Sequence, residues 1–523
     1  MDLLLESLRI PFALDGLNAY VEAAAEKLGI SREEISVVKI LSKALDASSP
    51  DEFYYIVSLV VRIPAGFSTR EKFPAYTETT APAKKLSPGR QRPIIVGFGP
   101  AGMFAALELI DLGMKPFIFE RGKKIEERSV DVQKFIAGRR LDPESNIQFG
   151  EGGAGSYSDG KLFSRINNSL YANRVLDTFI RFGAPPEIGY IRKPHLGTDV
   201  LCKIVQNMRA YILEQGGEIH YGSKMTDILV AEGKARGVVI NGQKEYHSSS
   251  IYLAVGHSAR DTFEMLHKKG VALEQKPVSV GVRIEHPAET INLLRYGSKY
   301  KRFPGVGAAS YSFTHTDKIT GRGVYTFCMC PGGEILNASS EQGMLVVNGM
   351  SYSDRSSAYS NAAIAVTCHT TDYPSAGPLA GIEFQKAIEH RAFTAAGGTW
   401  KAPAQNLADF LCGKISTDLN ENSYKMGSVS VPMSDIFPQF VCDALVTAFT
   451  SWKEQYPLFV SDHGILLGAE TRTSSPIRIM RTKNHESVSV KNLYPIGEGS
   501  GYSGGITSSA VDAIKAVECS LAG

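Results

Sequence analysis

Three sets of side chains in this 523-residue chain could carry redox or proton chemistry. Cys328 and Cys330 form a Cys-x-Cys in "TFCMCPGG". Two neighbouring thiols could cycle between dithiol and disulfide. In a regular strand, however, residues i and i+2 share a face, so two small buried residues give the same pattern. His257, in "VGHSAR", follows an apolar run and could relay protons or complete a hydrogen-bonded turn. Lys161 closes the stretch "QFGEGGAGSYSDGK" at 148–161, where its ammonium could counter developing negative charge or stand in solvent. His315, His369 and His463 are isolated from acids and cysteines at metal-ligand spacing, so no metal site is expected. Order and spacing alone define no Ser–His–Asp triad.

The glycines carry a stronger signal. "VGFGPAG" places Gly97, Gly99 and Gly102 directly after the apolar run Ile94–Val96 and at the start of a helical pattern over 101–112. That is the order a dinucleotide fold needs: one glycine for the tight turn, one for close approach to a pyrophosphate, one for helix–strand packing. The helix N-terminus then presents free N–H groups to phosphate. Glu120 ends the next strand, where an acid binds ribose hydroxyls and disfavours a 2′-phosphate.

Gly150, Gly152 and Gly155 repeat the same spacing, but the setting is wrong. "NIQF" is too short and polar for a buried parallel strand, and "SYSDGK" is a poor helix start. The stretch reads as a glycine loop laid against a flat ligand, or as a surface turn. Near the other end, "LYPIGEGSGYSGGITSSAVDAIKAVE" reads as strand, Gly-Glu-Gly turn, glycine cluster and helix from about Thr507. A second ligand-facing unit of this kind suits FAD rather than NAD. Glu498 could hold ribityl hydroxyls, Gly504 and Gly505 let backbone approach the ring system, and the helix start at Ile506–Ser508 could stabilise negative charge on it.

With "FERG", "YLAVGHSAR" and "YPIGEGSGYSGGI", this pattern resembles the glutathione-reductase-type FAD fold. The motifs "FGEGGAGSYSDGKL", "LAVGHSARDTFEML", "FCMCPGG" and "NGMSYSDR" are similar to those of an uncharacterised group of FAD-dependent, NAD(FAD)-utilizing dehydrogenases, over nearly all of 92–523. The resemblance implies that Gly97, Gly99, Pro100, Ala101 and Gly102 line the pyrophosphate. It implies that Glu120 binds the adenosine ribose with Arg121 beside it, and that Met225 meets adenine through its backbone. Ala254 and Gly256 would pass close to the cofactor, and Gly497, Glu498, Gly505 and Ile506 would reach ribityl and flavin. Gly153, Ser158, Asp159 and Lys161 would belong to a flavin-contacting loop.

These residues need a scaffold, and the chain supplies one. The expected fold is α/β: a Rossmann-like three-layer FAD domain split between 92–276 and 491–523, a mixed α+β substrate domain at 277–490, and a small α+β unit of ferredoxin-like type at 1–64. Residues 65–91, rich in Pro, Thr, Ser and charge, read as a linker. Apolar residues make up 43% and charged residues 21%, which suits a globular protein. A net charge of +2 gives no general basic field for nucleic acid. Seven scattered cysteines suit reduced thiols, and "MDLLLESLRIPF" is no signal peptide, so a cytoplasmic protein is expected. No run approaches the roughly 20 apolar residues of a membrane span.

The expected function is an FAD-dependent oxidoreductase. It would pass hydride or electrons through flavin N5 to or from a small molecule, with NAD(P)H as a visiting donor because no second complete nucleotide fold is present. The competing readings are a flavoprotein acting on RNA, against which 1–64 is acidic and lacks a stacking surface, and a regulatory protein that holds FAD without turnover. Oligomeric state is not legible.

Overall fold

Five short strands, four of them apolar, form the structural centre of the molecule. The computed structural model describes residues 1–64, 73–77, 91–162 and 170–521. Strands Leu493–Pro495, Ile251–Leu253, Ile94–Val96, Phe117–Phe119 and Glu218–His220 lie side by side in that order, every neighbour parallel. Parallel neighbours need crossovers, so both faces are covered. Helices Pro100–Asp111, Gly197–Glu214 and Ile506–Leu521 share one apolar cluster on the first face. Residues 101–110 are buried without interruption, which is why this helix reads as apolar all round. On the other face lies an antiparallel sheet of Met225–Ala231, Lys234–Ile240 and Lys244–His247. Ile477, Ile479 and Val490 pack into that same second cluster.

A second, seven-stranded sheet stands over the ends of these strands. Its order is Thr314–Thr316, Gly323–Cys330, Tyr359–Cys368, Val278–Pro287, Ile465–Glu470, Ala402–Asn406, Ser428–Ser430. Neighbours are antiparallel except the last pair. Helices Ala380–Ala395 and Gln439–Gln455 cover it with Phe384, Ile388, Leu445 and Phe449.

The expectation that Cys328 and Cys330 share one face of a regular strand is corrected here. Phe327 pairs with Ala363, but Cys330 pairs with Asn361, so the strand carries one extra residue. Cys328 sits in that bulge with φ +42°.

Residues 1–64 form an α+β unit, but the expected ferredoxin-like plan is not met. One helix, Leu17–Leu28, covers three antiparallel strands in the order Asp2–Pro11, Tyr54–Arg62, Ser36–Asp46. The fourth strand and second helix of that plan are absent from residues 1–64. The first strand, "DLLLESLRIP", buries Leu3, Leu5, Leu8 and Ile10 in a register shifted by a bulge, which hides its alternation. The unit docks at two places. Lys43 exchanges backbone hydrogen bonds with Tyr190 and Arg192, and Phe12 and Phe53 pack edge-on to Phe303. Most of the expected linker 65–91 lies outside the described residues. Within 73–77, Pro74 and Tyr76 pair with the first strand.

Candidate functional site

The carboxyl ends of four parallel strands open on one cavity of about 390 Å³. After Ile94–Val96 the chain turns at Gly97, with φ +99°. A side chain there would meet the Ala254 carbonyl at 2.3 Å, so only glycine lets the two strand ends run this close. Gly97, Gly99, Pro100 and Ala101 line the cavity. Gly102 lies beneath it, where a Cβ would stand 2.0 Å from the Gly97 carbonyl, and so serves helix–strand packing. Pro100 at the first helical position lacks an N–H, leaving the amides of the following turn to face the cavity end.

Glu120 is committed to backbone. Its carboxylate accepts from the amides of Phe98 (2.8 Å), Gly122 (2.9 Å) and Gly150 (2.9 Å). It therefore pins the 97–102 turn, its own strand end and the 148–153 loop together at the cavity wall. Arg121 stacks over Phe149 and donates to Glu144 (2.6 Å) and bidentately to Asp261 (3.0 Å). Lys224 joins the same two acids. Met225 completes this end of the lining.

The 148–161 stretch is a loop with one short 3-10 helix, Ala154–Tyr157, laid on the first glycine turn, as the Gly152 amide bonding the Phe98 carbonyl (2.8 Å) shows. Its organiser is Arg128, which is fully buried. The guanidinium donates to the carbonyls of Asn146 (2.8 Å), Ile147 (2.8 Å), Glu151 (2.7 Å) and Gly153 (3.0 Å). Five donors in a rigid fork can satisfy a coil that has no partner strand. Gly153, Ser158, Asp159 and Lys161 thereby reach the lining. Asp159 accepts bidentately from Arg355 (3.0 and 2.6 Å) and from the Ser351 hydroxyl. Lys161 donates to the Met329 carbonyl.

Gly497, Glu498, Gly504, Gly505 and Ile506 enter from the last strand–turn–helix unit, with Ala254 and Gly256 beside them at the end of the neighbouring strand. The Gly497 amide donates to Asp512 (2.9 Å), which Arg481 holds bidentately. Gly256 and Gly505 have positive φ, and a Cβ on either would meet nothing within 4 Å, so both face open cavity. Burial pushes the Glu498 carboxyl up to about 7, opposed by the Gly505 amide and more distantly by Lys276.

The second sheet closes the cavity with Phe327, Cys328, Cys330 and Glu470, and Asn348 joins them from the strand Val347–Met350, which pairs separately with Glu334–Asn337. One fully buried guanidinium, that of Arg283, fixes this wall. It donates to Glu470 (3.0 Å), Asn348 Oδ1 (3.2 Å), Asn361 Oδ1 (2.8 Å), the Cys328 carbonyl (2.6 Å) and Cys330 Sγ (3.4 Å). Cys328 is exposed, but to the protein-walled cavity, and desolvation pushes its thiol up to about 12. Cys330 is raised by the same cause. Both thiols are thus protonated at neutral pH, which disfavours thiolate chemistry.

His257 lines the cavity and bonds Ser258 Oγ at 2.9 Å. Desolvation, with Arg472 and Arg260 nearby, lowers it to about 3, so the ring is neutral and suits a hydrogen-bonding role. Those arginines flank buried Glu389: Arg260 at 2.7 and 2.8 Å, Arg472 at 3.0 and 3.2 Å. Their charges hold the Glu389 carboxyl below the usual range against the desolvation that would raise it. Among the described residues no group of three His, Cys, Asp or Glu could hold a metal, and no helix is long and apolar enough to cross a membrane.

Sequence reasoning missed Arg128, Arg283 and the Arg260–Glu389–Arg472 cluster. One signal was available: "VSVGVRIEHP" sets Arg283 inside an apolar strand, where a buried charge must find partners.

Residues 277–473 match the family described as FAD-dependent protein, C-terminal domain-like. An uncharacterized protein from Clostridium beijerinckii is 41% identical over 518 residues, 96% of each chain. Among solved structures, CtdE in complex with FAD aligns over 82% of this chain and 83% of its own, at 12% identity and a TM-score of 0.30. A geranylgeranyl bacteriochlorophyll reductase-like protein from Thermoplasma acidophilum aligns over 82% and 76%, at 11% identity and a TM-score of 0.35.

Proposed function

The chain belongs to one family with its uncharacterized Clostridium beijerinckii relative, carries the FAD-dependent C-terminal domain over 277–473 and takes FAD as its cofactor; from that premise we propose that it is an FAD-dependent oxidoreductase acting on a small molecule. One observation carries the reading: the N-termini of helices Pro100–Asp111 and Ile506–Leu521 meet a single cavity, each behind a glycine turn.

The residues present fit the group. Gly256 and Gly505 leave the room that a bulky cofactor needs, and Glu498 is a half-buried carboxyl at the cavity wall, suited to accept hydroxyl hydrogens. Gly97–Ala101 would hold the pyrophosphate, with Glu120 fixing that turn and Met225 at the adenine end. Gly497–Ile506 and the 153–159 part of the glycine loop would hold the ribityl and ring end, with Lys161 beyond it at the second-sheet wall. FAD, when bound, supplies the two-electron chemistry. The chain's own part is then positional and electrostatic. The helix start at Ile506 offers N–H groups to negative charge on the ring system. Phe327 and the bulge at Cys328 close the opposite side. Neutral His257 and protonated Cys328 are hydrogen-bond donors rather than bases.

Anaerobic titration of the yellow protein with NADH and NADPH tests the reading. Bleaching of the absorption near 450 nm by either names the donor. A flavin that no nicotinamide reduces, and that no acceptor reoxidises faster than air when photoreduced, would leave a holding protein instead.

A further inference from the structure

Resting on the oxidoreductase reading above, we propose that Lys161 and Asn348 form an oxyanion subsite at the second-sheet end of the cavity, and that the substrate is a small carboxylate. The two residues come from different parts of the fold and both line the cavity.

The orientation of Asn348 follows from its partners. Its Oδ1 accepts from Arg283 (3.2 Å) and from the Gly349 amide (2.7 Å). Arg283 has only donors, so the oxygen must face it and the Nδ2 amino group must point away. That amino group has no partner among the described residues, and it is not enclosed by protein. It is a fixed, unused pair of N–H donors at the cavity wall.

The charge comes from Lys161. Its side chain is 39% exposed and gives one hydrogen to the Met329 carbonyl. The nearest carboxylate, Asp159, stands at 3.9 Å and is already engaged by Arg355 and Ser351. Glu470, the other acid on this wall, is engaged by Arg283. The acids at this end are therefore compensated by arginines, and the ammonium of Lys161 is left to meet a ligand. Cys328, protonated, adds a third weak donor. A wall that offers an ammonium, an amide N–H₂ and a thiol, with its acids occupied, selects an acceptor-only group, and a carboxylate is the small group that uses all of them. Arg283 is the positioning residue, since Asn348, Glu470, Cys328 and Cys330 all depend on its one guanidinium.

The test uses full-length FAD-loaded protein. Acetate, crotonate and benzoate are each titrated against the matching neutral amide, followed by the perturbation of flavin absorption and by calorimetry. At least one acid should bind at least about 10-fold more tightly than its amide, the effect of one charge-assisted hydrogen bond. Lys161→Met and Asn348→Asp should each weaken that acid about 10-fold or more. Asn348→Asp keeps the Arg283 partner and turns the free donor into an acceptor, so it tests contact rather than folding. FAD affinity should stay within about 3-fold of the parent in both variants. Equal binding of acids and amides, no binding of any acid, or acid affinity unchanged in both variants overturns the subsite. A 10-fold loss of FAD itself in either variant also overturns it, by making the residue a cofactor contact. A chain that holds no FAD at all overturns the oxidoreductase reading and the subsite with it.

Discussion

Replacing Glu498 with Gln gives a change whose sign depends on pH. The carboxyl is lifted from 4.5 to about 7 by burial in the cavity wall. For an acid raised on folding, the folded chain binds the proton more tightly than the unfolded one. The cost is therefore absent below 4.5, grows between 4.5 and about 7, and is complete above 7. It amounts to about 3 kcal/mol, at 1.36 kcal/mol per factor of ten in proton affinity. Glu498→Gln removes the ionisation, so FAD-free protein should be stabilised at pH 8 by up to about 3 kcal/mol, a Tm rise of roughly 3 °C, and hardly changed at pH 4.5. Glu108 and Glu285 are also raised to about 7, so the parent's own stability falls over the same range, and only the difference between variant and parent isolates Glu498. FAD should narrow that gap at pH 8, since a tenfold loss of affinity offsets about 1.4 kcal/mol of it. Ribityl hydroxyls that donate to a carboxylate lose a charged acceptor, and affinity should weaken about 10-fold or more. Thermal melts at both pH values, with and without FAD, read both effects. A stabilisation equal at pH 4.5 and 8, or unchanged FAD affinity, refutes the placement of this carboxyl.

Three further outcomes follow from the geometry. Arg128→Met strands several carbonyls of the 146–153 coil and should cost about 3 kcal/mol or more by thermal melt, with FAD affinity falling alongside. Glu389→Gln leaves Arg260 and Arg472 with only the more exposed Glu341 as carboxylate partner and should lower stability by about 3 kcal/mol, read as a Tm drop. Cys328, with its thiol near 12, should react with iodoacetamide far more slowly at pH 8 than free cysteine and accelerate up to at least pH 10.

The dinucleotide turn was legible because each step is local. Gly97, Gly99 and Gly102 follow a strand and open a helix, and the structure places them there. The second glycine cluster was legible for the same reason. The 148–161 stretch could be separated from a nucleotide turn by its lack of flanking strand and helix, but not explained, because Arg128 reaches it across about 20 residues of chain. Glu120 was assigned one role by position and proves to hold three amides, a duty visible only once the 148–153 loop lies beside it. The Cys-x-Cys misled because period-2 logic assumes regular pairing, and a bulge breaks it at Cys328. Arg260, Arg472 and Glu389 come from three distant segments, and nothing local couples them. The small N-terminal unit was legible as α+β, because "LNAYVEAAAEKLGI" has helical periodicity and "ISVVKILSKAL" and "FYYIVSLVVRI" are β-rich. Its first strand stayed hidden, because its alternation slips between Leu5 and Leu8.

The central claim is that two helix starts grip one cofactor in one cavity. Flavin-to-protein stoichiometry measures this directly, by absorption near 450 nm on protein reconstituted with FAD and freed of excess. The parent should hold one FAD per chain, and Gly102→Ala, whose new methyl would stand 2.0 Å from the Gly97 carbonyl, should hold almost none while remaining folded. A parent that binds no flavin, or a folded Gly102→Ala protein as yellow as the parent, contradicts the account.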